Sequence, residues 1–275
     1  MKCRHCKTKL TLEFLNLGNT PPSNAYLNKN DLKKPELTYP LRILTCTSCW
    51  LVQTEDYTDA DLLFDKDYAY FSSTSKGWLD HAQNYCKMIT NRFNLSSNSF
   101  VVEVASNDGY LLKNFVSQKI PCLGIEPTKS TADYSTKIGV RVIQEFFGSK
   151  VGNRMAENNE KADLVIGNNV YAHVPDINDF TDGIAALLKE NGVVTLEFPH
   201  LLQLIQHNQF DTVYHEHFSY LSLNTVISIF KKSNLKVFDV EKLSTHGGSL
   251  RVYGCKHTAE HEVRETVKDI LDLEN

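Results

Sequence analysis

From Phe100 onward, short apolar runs alternate with stretches in which apolar side chains recur every three or four positions. The runs are Phe100-Val101-Val102-Glu103-Val104, Cys122-Leu123-Gly124-Ile125-Glu126, Arg141-Val142-Ile143, Asp163-Leu164-Val165-Ile166-Gly167 and Val193-Val194-Thr195-Leu196-Glu197-Phe198. Strands alternating with helices predict an α/β domain built on a doubly wound, largely parallel sheet. Leu235-Lys236-Val237-Phe238-Asp239-Val240 and Ser249-Leu250-Arg251-Val252-Tyr253 read as an antiparallel pair closing that sheet. Upstream, Ser72-Ser73-Thr74-Ser75 offers N-cap residues, and Trp78, His81, Ala82, Tyr85, Met88, Ile89 and Phe93 then follow helical spacing, so one helix leads into the domain.

The region before that helix has a different character. Cys3-x-x-Cys6 and Cys46-x-x-Cys49 are knuckles about forty residues apart, each turning two thiolates toward one tetrahedral centre. The long separation predicts a ribbon-like module with an insertion, which carries the turn-rich Gly18-Asn19-Thr20-Pro21-Pro22-Ser23-Asn24. Four cysteine ligands leave no position for water, which favours a closed, structural Zn2+ site at Cys3, Cys6, Cys46 and Cys49. Neither pair sits between a strand and a helix as a redox motif does. Cys86, Cys122 and Cys255 are isolated and read as packed thiols.

Length and composition fit a small module joined to one full-sized domain. The chain has 275 residues, of which 41% are hydrophobic and 23% charged, as in globular proteins. A formal net charge of -4 and the lack of a dense Lys/Arg stripe argue against nucleic acid as a partner. No apolar run approaches the roughly 20 residues that span a bilayer, and the N-terminus shows no secretory pattern, so no membrane partner and a cytoplasmic location are expected. A monomer is expected as well.

In doubly wound sheets, ligands bind at the carboxyl ends of the strands, which here means the loop from Ala105 to Gly109 and the tip of the second strand at Glu126. Glu126 can accept hydrogen bonds from both hydroxyls of a ribose. A dinucleotide site carries three glycines to admit a pyrophosphate, whereas this loop has only Gly109 and sets Asp108 beside it, a poor cradle for an anion. S-adenosylmethionine has no phosphate, a cationic sulfonium and an ammonium group that Glu103, Asp108 or a carbonyl can meet. The expected cofactor contacts are therefore Glu103, Ala105, Ser106, Asn107, Asp108, Gly109, Glu126 and Pro127, with Asn168 and Asn169 after the fourth strand; the competing reading is that Glu103 and Glu126 are only solvated strand-end charges.

Asp211-Thr212-Val213-Tyr214-His215-Glu216-His217-Phe218-Ser219-Tyr220 gathers imidazoles, a carboxylate and phenols directly after the fifth unit of the sheet, a composition suited to proton chemistry near neutral pH. In a straight strand His215 and His217 would face one way and Tyr214 and Glu216 the other, so either one face or a local turn selects the acting groups. A metal site ranks below acid/base use because the segment has no H-E-x-x-H helix and no third ligand. His200 and His207 read as surface histidines without a role.

These features together resemble the sugar-nucleotide C-methyltransferases. The motifs are the paired knuckles, Asn24-Ala25-Tyr26-Leu27, Asp67-Tyr68-Ala69-Tyr70-Phe71-Ser72-Ser73, Ser106-Asn107-Asp108-Gly109, Tyr214-His215-Glu216-His217 and His246-Gly247-Gly248-Ser249-Leu250-Arg251. The resemblance implies a zinc-binding module at residues 1–66, a class I (Rossmann-like) S-adenosylmethionine-dependent methyltransferase domain at 67–257, and at 258–275 the start of the C-terminal lobe into which family members continue. It also implies abstraction of a proton from ring carbon 3 of a nucleotide-linked, dTDP-type 4-keto sugar, then methylation of the enolate. His217 would be the base, with Tyr214, Glu216, His173 and Tyr68 around the reacting sugar and Tyr70, His215, His246 and Arg251 as further substrate contacts. Where Ala105 stands the family usually has glycine, a change expected to tighten the loop. Alternatives are a methyltransferase of another small molecule and a catalytically silent interaction module.

Overall fold

A computed structural model describes residues 1–24, 26–56 and 71–275. Tyr68 and Tyr70 lie outside the described residues. The strands of the main sheet are β4 (Val101–Val104), β5 (Cys122–Ile125), β6 (Val142–Ile143), β7 (Ala162–Asn168), β8 (Leu188–Pro199), β10 (Leu235–Leu243) and β11 (Ser249–Lys256), in the spatial order β10-β11-β8-β7-β4-β5-β6. Pairing is parallel from β8 through β6, and β11 runs antiparallel to both β8 and β10. The doubly wound sheet and its closing hairpin are thus as the apolar runs predict. The order reverses beside β4, which puts the crevice for a ligand at the carboxyl ends of β4 and β7.

Helix α1 (Lys76–Arg92) begins at Ser75, whose hydroxyl accepts from the Trp78 amide at 3.3 Å. Its Ala82, Tyr85, Cys86 and Ile89 point inward at i, i+3, i+4 and i+7 and pack with Val101, Leu164 and Tyr253 on one face of the sheet. The other face carries α4 (Ser149–Glu157), α5 (Ile177–Leu187) and α7 (Leu223–Lys232), with Met155, Phe180, Ile184, Ile229 and Phe230 against Val102, Leu123 and Val165. Helices α4 and α5 touch through glycine: a Cβ on Gly152 would lie 2.3 Å from the Gly183 carbonyl oxygen. The short helices α2 (Lys113–Ser117), α3 (Lys129–Lys137) and α6 (Leu201–Gln206) and the terminal α8 (Glu265–Glu274) complete the described helices.

The N-terminal module is a small antiparallel sheet of β1 (Leu12–Thr20), β2 (Tyr39–Thr45) and β3 (Val52–Thr54). Its two knuckles are the same turn. Lys7 N–H donates to the Cys3 carbonyl and Trp50 N–H to the Cys46 carbonyl, each at 3.0 Å, and Lys7 and Trp50 both sit in the left-handed region at φ 64° and 61°. One feature gives no sequence signal: β9 (Ser219–Tyr220), which follows the histidine segment, pairs with β3 and becomes the fourth strand of the module's sheet.

Candidate active site

A cavity of about 870 Å³ opens at the carboxyl ends of the parallel strands. Val104, Ala105 and Asn107 line it from the loop after β4, Glu126, Pro127 and Thr128 from the end of β5, and Asn168 and Asn169 from the end of β7. Opposite stand His173, Thr212, Tyr214, Glu216, His217 and His246, while Ser23 and Asn24 reach in from the N-terminal module.

The histidine segment resolves as a turn. The His217 amide donates to the Tyr214 carbonyl at 3.1 Å, and this brings onto one side two residues that an extended strand would separate. His217 Nδ1 lies 2.9 Å from the Thr212 carbonyl; a carbonyl only accepts, so Nδ1 carries the proton and Nε2 presents a lone pair. The Tyr214 hydroxyl donates to that lone pair at 2.8 Å. Burial, then the neighbouring His173, hold the His217 pKa well below the usual imidazole value, so the ring is neutral at pH 7. His173 lies with its ring centroid 4.6 Å away, donates from Nδ1 to the Glu216 carbonyl at 3.0 Å, and is pushed down to about 4 by burial. The Glu216 carboxylate accepts from Ser23 at 2.9 Å and from both protons of the Asn24 amide at 2.6 and 2.8 Å, while burial raises its pKa.

Across the cavity, Glu126 Oε2 accepts from the Asn107 amide and Oε1 from the Thr128 amide, both at 2.9 Å. Burial raises its pKa against these two contacts. Each oxygen keeps acceptor capacity for a ligand hydroxyl. The side-chain amides of Asn168 and Asn169 are buried with no hydrogen-bond partner among the described residues. Buried amides at a cavity wall cost free energy unless a ligand or water meets them. The loop is strained: Ala105 (φ 56°) and Asn107 (φ 49°) are left-handed, which sits easily with asparagine and poorly with alanine.

A family model described as "Methyltransferase domain" matches residues 78–240, and one described as "Putative zinc binding domain" matches residues 3–64. The chain belongs to the methyltransferase family. It is 34% identical over 270 residues to the C-methyltransferase NovU of Streptomyces niveus, an alignment covering 98% of this chain and 64% of that relative's length. Among solved structures it resembles the PH0226 protein of Pyrococcus horikoshii OT3 (TM-score 0.55, 12% identity, 73% of this chain and all of that one). It also resembles magnesium protoporphyrin IX methyltransferase of Synechocystis PCC 6803, solved with SAH bound (TM-score 0.51, 14% identity, 66% of this chain and 84% of that one). The fold of this methyltransferase is class I, behind a small zinc-binding module.

The zinc site follows from the four thiols. The Sγ atoms of Cys3, Cys6, Cys46 and Cys49 all lie within 4.8 Å of one another, and Cys3 and Cys46 are buried. A set of four soft sulfur ligands with no open position suits a structural zinc ion.

Several expected site residues of this methyltransferase do not reach the cavity. Glu103, in β4, and Ser106, Asp108 and Gly109, within the loop, are all buried and do not line the cavity. Asp108 accepts from the Ser73 amide at 3.0 Å and the Tyr110 amide at 3.3 Å, so it braces the loop against the segment before α1 instead of meeting an ammonium group. Glu103 is 1% exposed, and burial raises its pKa well above the ordinary carboxylate value. Arg251 is not a cavity residue either: on β11 it bonds Glu197 and Glu241 at 2.6 to 2.8 Å and lies over the Tyr85 ring. Burial raises the pKa of Glu197, but the His81 hydrogen bond and the charge of Arg251 bring it below the usual range, so the pair is charged. His215 points away, its Nε2 3.2 to 3.3 Å from the carbonyls of Pro40 and Tyr39. His246 does line the cavity, in the left-handed region at φ 50° and with Trp78 against its ring at 5.3 Å. His200, expected at the surface, is 3% exposed and donates to Glu274 of α8 at 2.7 Å.

Residues without a sequence signal include the Thr212 carbonyl that sets the His217 tautomer and the Ser23/Asn24 pair that holds Glu216. Asn24 belongs to one of the family motifs, which flags it without indicating its task. Only the turn at 214–217 and the return of the 18–24 loop over the cavity bring these groups together.

Proposed function

We infer that this protein transfers a methyl group from S-adenosylmethionine to carbon 3 of a nucleotide-linked 4-keto sugar, by way of an enolate. The observation that carries the reading is the neutral His217, whose Nε2 lone pair lies on the wall of a cavity facing the Glu126 loop. The relation to a C-methyltransferase supports transfer to carbon, and a carbon nucleophile needs a base to make it. A dTDP-linked sugar is the substrate that the motifs favour.

Glu126 holds the ribose hydroxyls of the methyl donor, with Asn107 and Pro127 beside it and the unpartnered amides of Asn168 and Asn169 meeting its polar atoms. That donor supplies an electrophilic methyl group. With sugar bound, the Tyr214 hydroxyl turns from Nε2 to the 4-keto oxygen, the freed Nε2 lone pair takes the proton from carbon 3, the C–H electron pair passes into the enolate, and Tyr214 donates to the enolate oxygen. His173, its pKa lowered to about 4 by burial, is neutral at pH 7. Glu216, fixed by Ser23 and Asn24, faces the sugar. Tyr68 and Tyr70 are assigned to the sugar side on their motif. The organisation proposed with this reading is zinc module 1–66, methyltransferase domain 67–257 and the start of a further lobe at 258–275.

Incubation with S-adenosylmethionine and a set of 4-keto sugar nucleotides, followed by mass spectrometry, tests the function. A product heavier by one methylene with the demethylated cofactor in equal amount is expected. Methylation of non-sugar acceptors alone, or binding of the cofactor with no acceptor methylated, contradicts it.

A further inference from the structure

Arg4 lies between the first pair of zinc-ligating cysteines and is 6% exposed, an unusual place for a guanidinium. Its planar fork is spent mainly on backbone carbonyls. Nε donates to Phe218 at 3.1 Å, Nη1 to Pro175 at 2.9 Å and Nη2 to Thr54 at 3.0 Å, and Nη2 also pairs with Asp56. Phe218 directly follows His217, and its ring lies under the guanidinium at 4.9 Å. Pro175 is two residues beyond His173. The Thr54 hydroxyl donates to the carbonyl of His217 itself. On the knuckle side, the Arg4 amide donates to Gln53 Oε1 at 2.9 Å, and Gln53 Nε2 donates to the Cys3 sulfur at 3.3 Å.

We propose that Arg4 is a positioning residue, which uses the rigidity of the zinc knuckle to fix the separation and orientation of His217 and His173. The fork geometry is the reason. A module merely docked by charge needs one ion pair, whereas here three donors reach the carbonyls of three chain segments, and a carbonyl oxygen fixes where its peptide lies. The segments are the last strand of the module and the two loops that carry the histidines. A shift of either loop would break the 3.0 Å contact from His173 Nδ1 to the Glu216 carbonyl, which joins the two, and move the His173 ring from its place 4.6 Å from His217. Among described groups, Asp56 is the carboxylate on Arg4, and its side chain is 52% exposed, so the clamp depends little on that charge pair.

The rate consequence rests on His217 being the base, but the geometric consequence does not, and the experiment separates them. Arg4→Met keeps the buried stem and removes the fork, and Arg4→Lys keeps one charged donor group. Zinc content and affinity for the demethylated cofactor are measured in both, with 15N NMR of the imidazoles, the His217 signals being identified by their loss in His217→Gln. The expected result is one zinc per chain and unchanged cofactor affinity. The His217 nitrogen signals should move away from their parental values as the His173 ring leaves its place, and kcat should fall about 10- to 100-fold, the scale of an ångström-sized misplacement. His217 signals identical to the parent in Arg4→Met overturn the proposal. If Arg4→Met does not fold, the same reading on Arg4→Lys decides it: displaced signals support the clamp and parental signals overturn it. If the parent methylates no sugar while Arg4→Met still shows the shift, the base assignment falls and the clamp stands.

Discussion

The two walls of the cavity are built in different ways. The loop after β4 is local: Glu126 reaches an amide 19 positions away, Asp108 one 35 positions away, and the strands on either side share one sheet. The wall around His217 is convergent. Glu216 is held by residues 192 and 193 positions away, the His217 carbonyl by Thr54 at 163, and the Phe218 carbonyl by Arg4 at 214. A local wall persists when distant parts of the chain are disturbed. A convergent wall inherits the stability of whatever brings its parts together, and here that is the zinc module.

The sharpest way to break the parallel is therefore to remove the metal. Cys46→Ser should cost on the order of 10 kcal/mol of metal-linked folding energy in the module. The His217 wall should then lose its order, while binding of the demethylated cofactor by calorimetry is retained, since the Glu126 wall needs no zinc. Loss of both together would show that the two walls are not independent. Next in size, Glu126→Ala should weaken cofactor binding by about 1.5–3 kcal/mol, the worth of hydrogen bonds to a charged group, with the 15N signals of His217 unmoved.

Acid should act on the two buried histidines and on Glu103 with opposite sign. His173 and His217 have folded pKa values below the ordinary imidazole value of 6.5, His173 at about 4, so as pH falls from 7 the unfolded chain binds the proton first and stability is lost down to about pH 4. Glu103 has a raised folded pKa, so its contribution runs the other way: stability is recovered as pH falls through that raised value. Thermal unfolding between pH 7 and 4.5 should show a shallower acid loss in His173→Asn than in the parent. Glu103→Gln should gain most over the parent at high pH, with the gap closing as pH falls. Parallel curves for all three proteins would contradict the assignment. The acid limb of kcat should also lie below the ordinary imidazole range, because His217 stays neutral there. The smallest effect expected is at Ala105, where glycine relieves a left-handed residue: Ala105→Gly should raise stability by about 1 kcal/mol in denaturant unfolding.

The difference between the walls also accounts for what could be read before the fold was known. The alternating strands with their closing hairpin, the helix entering at Ser75 and the four-cysteine cluster were legible because apolar period, cap chemistry and ligand spacing are properties of short windows. Glu126 could be placed at the crevice for the same reason. The burial of Glu103 and Asp108 was not legible, since a strand-end carboxylate looks alike whether it faces a ligand or an amide beneath it. Arg251 carried a motif but pairs with Glu197 on the adjacent strand, a register that only the sheet defines. The histidine segment showed its chemistry while leaving its geometry open. The turn at 214–217 separates His215, held at the carbonyls of residues 39 and 40, from His217, which faces the cavity.

The central claim, that neutral His217 takes the proton from ring carbon 3, is tested most directly by washout of label. A 4-keto sugar nucleotide deuterated at carbon 3 is incubated in ordinary water with the protein and the demethylated cofactor, so that proton removal is read without methylation. The account predicts loss of deuterium with the parent and a rate lower by about 10²–10⁴-fold in His217→Gln, with cofactor affinity unchanged in both. Washout at the parental rate in His217→Gln would contradict it and assign the proton transfer to another group on the same wall.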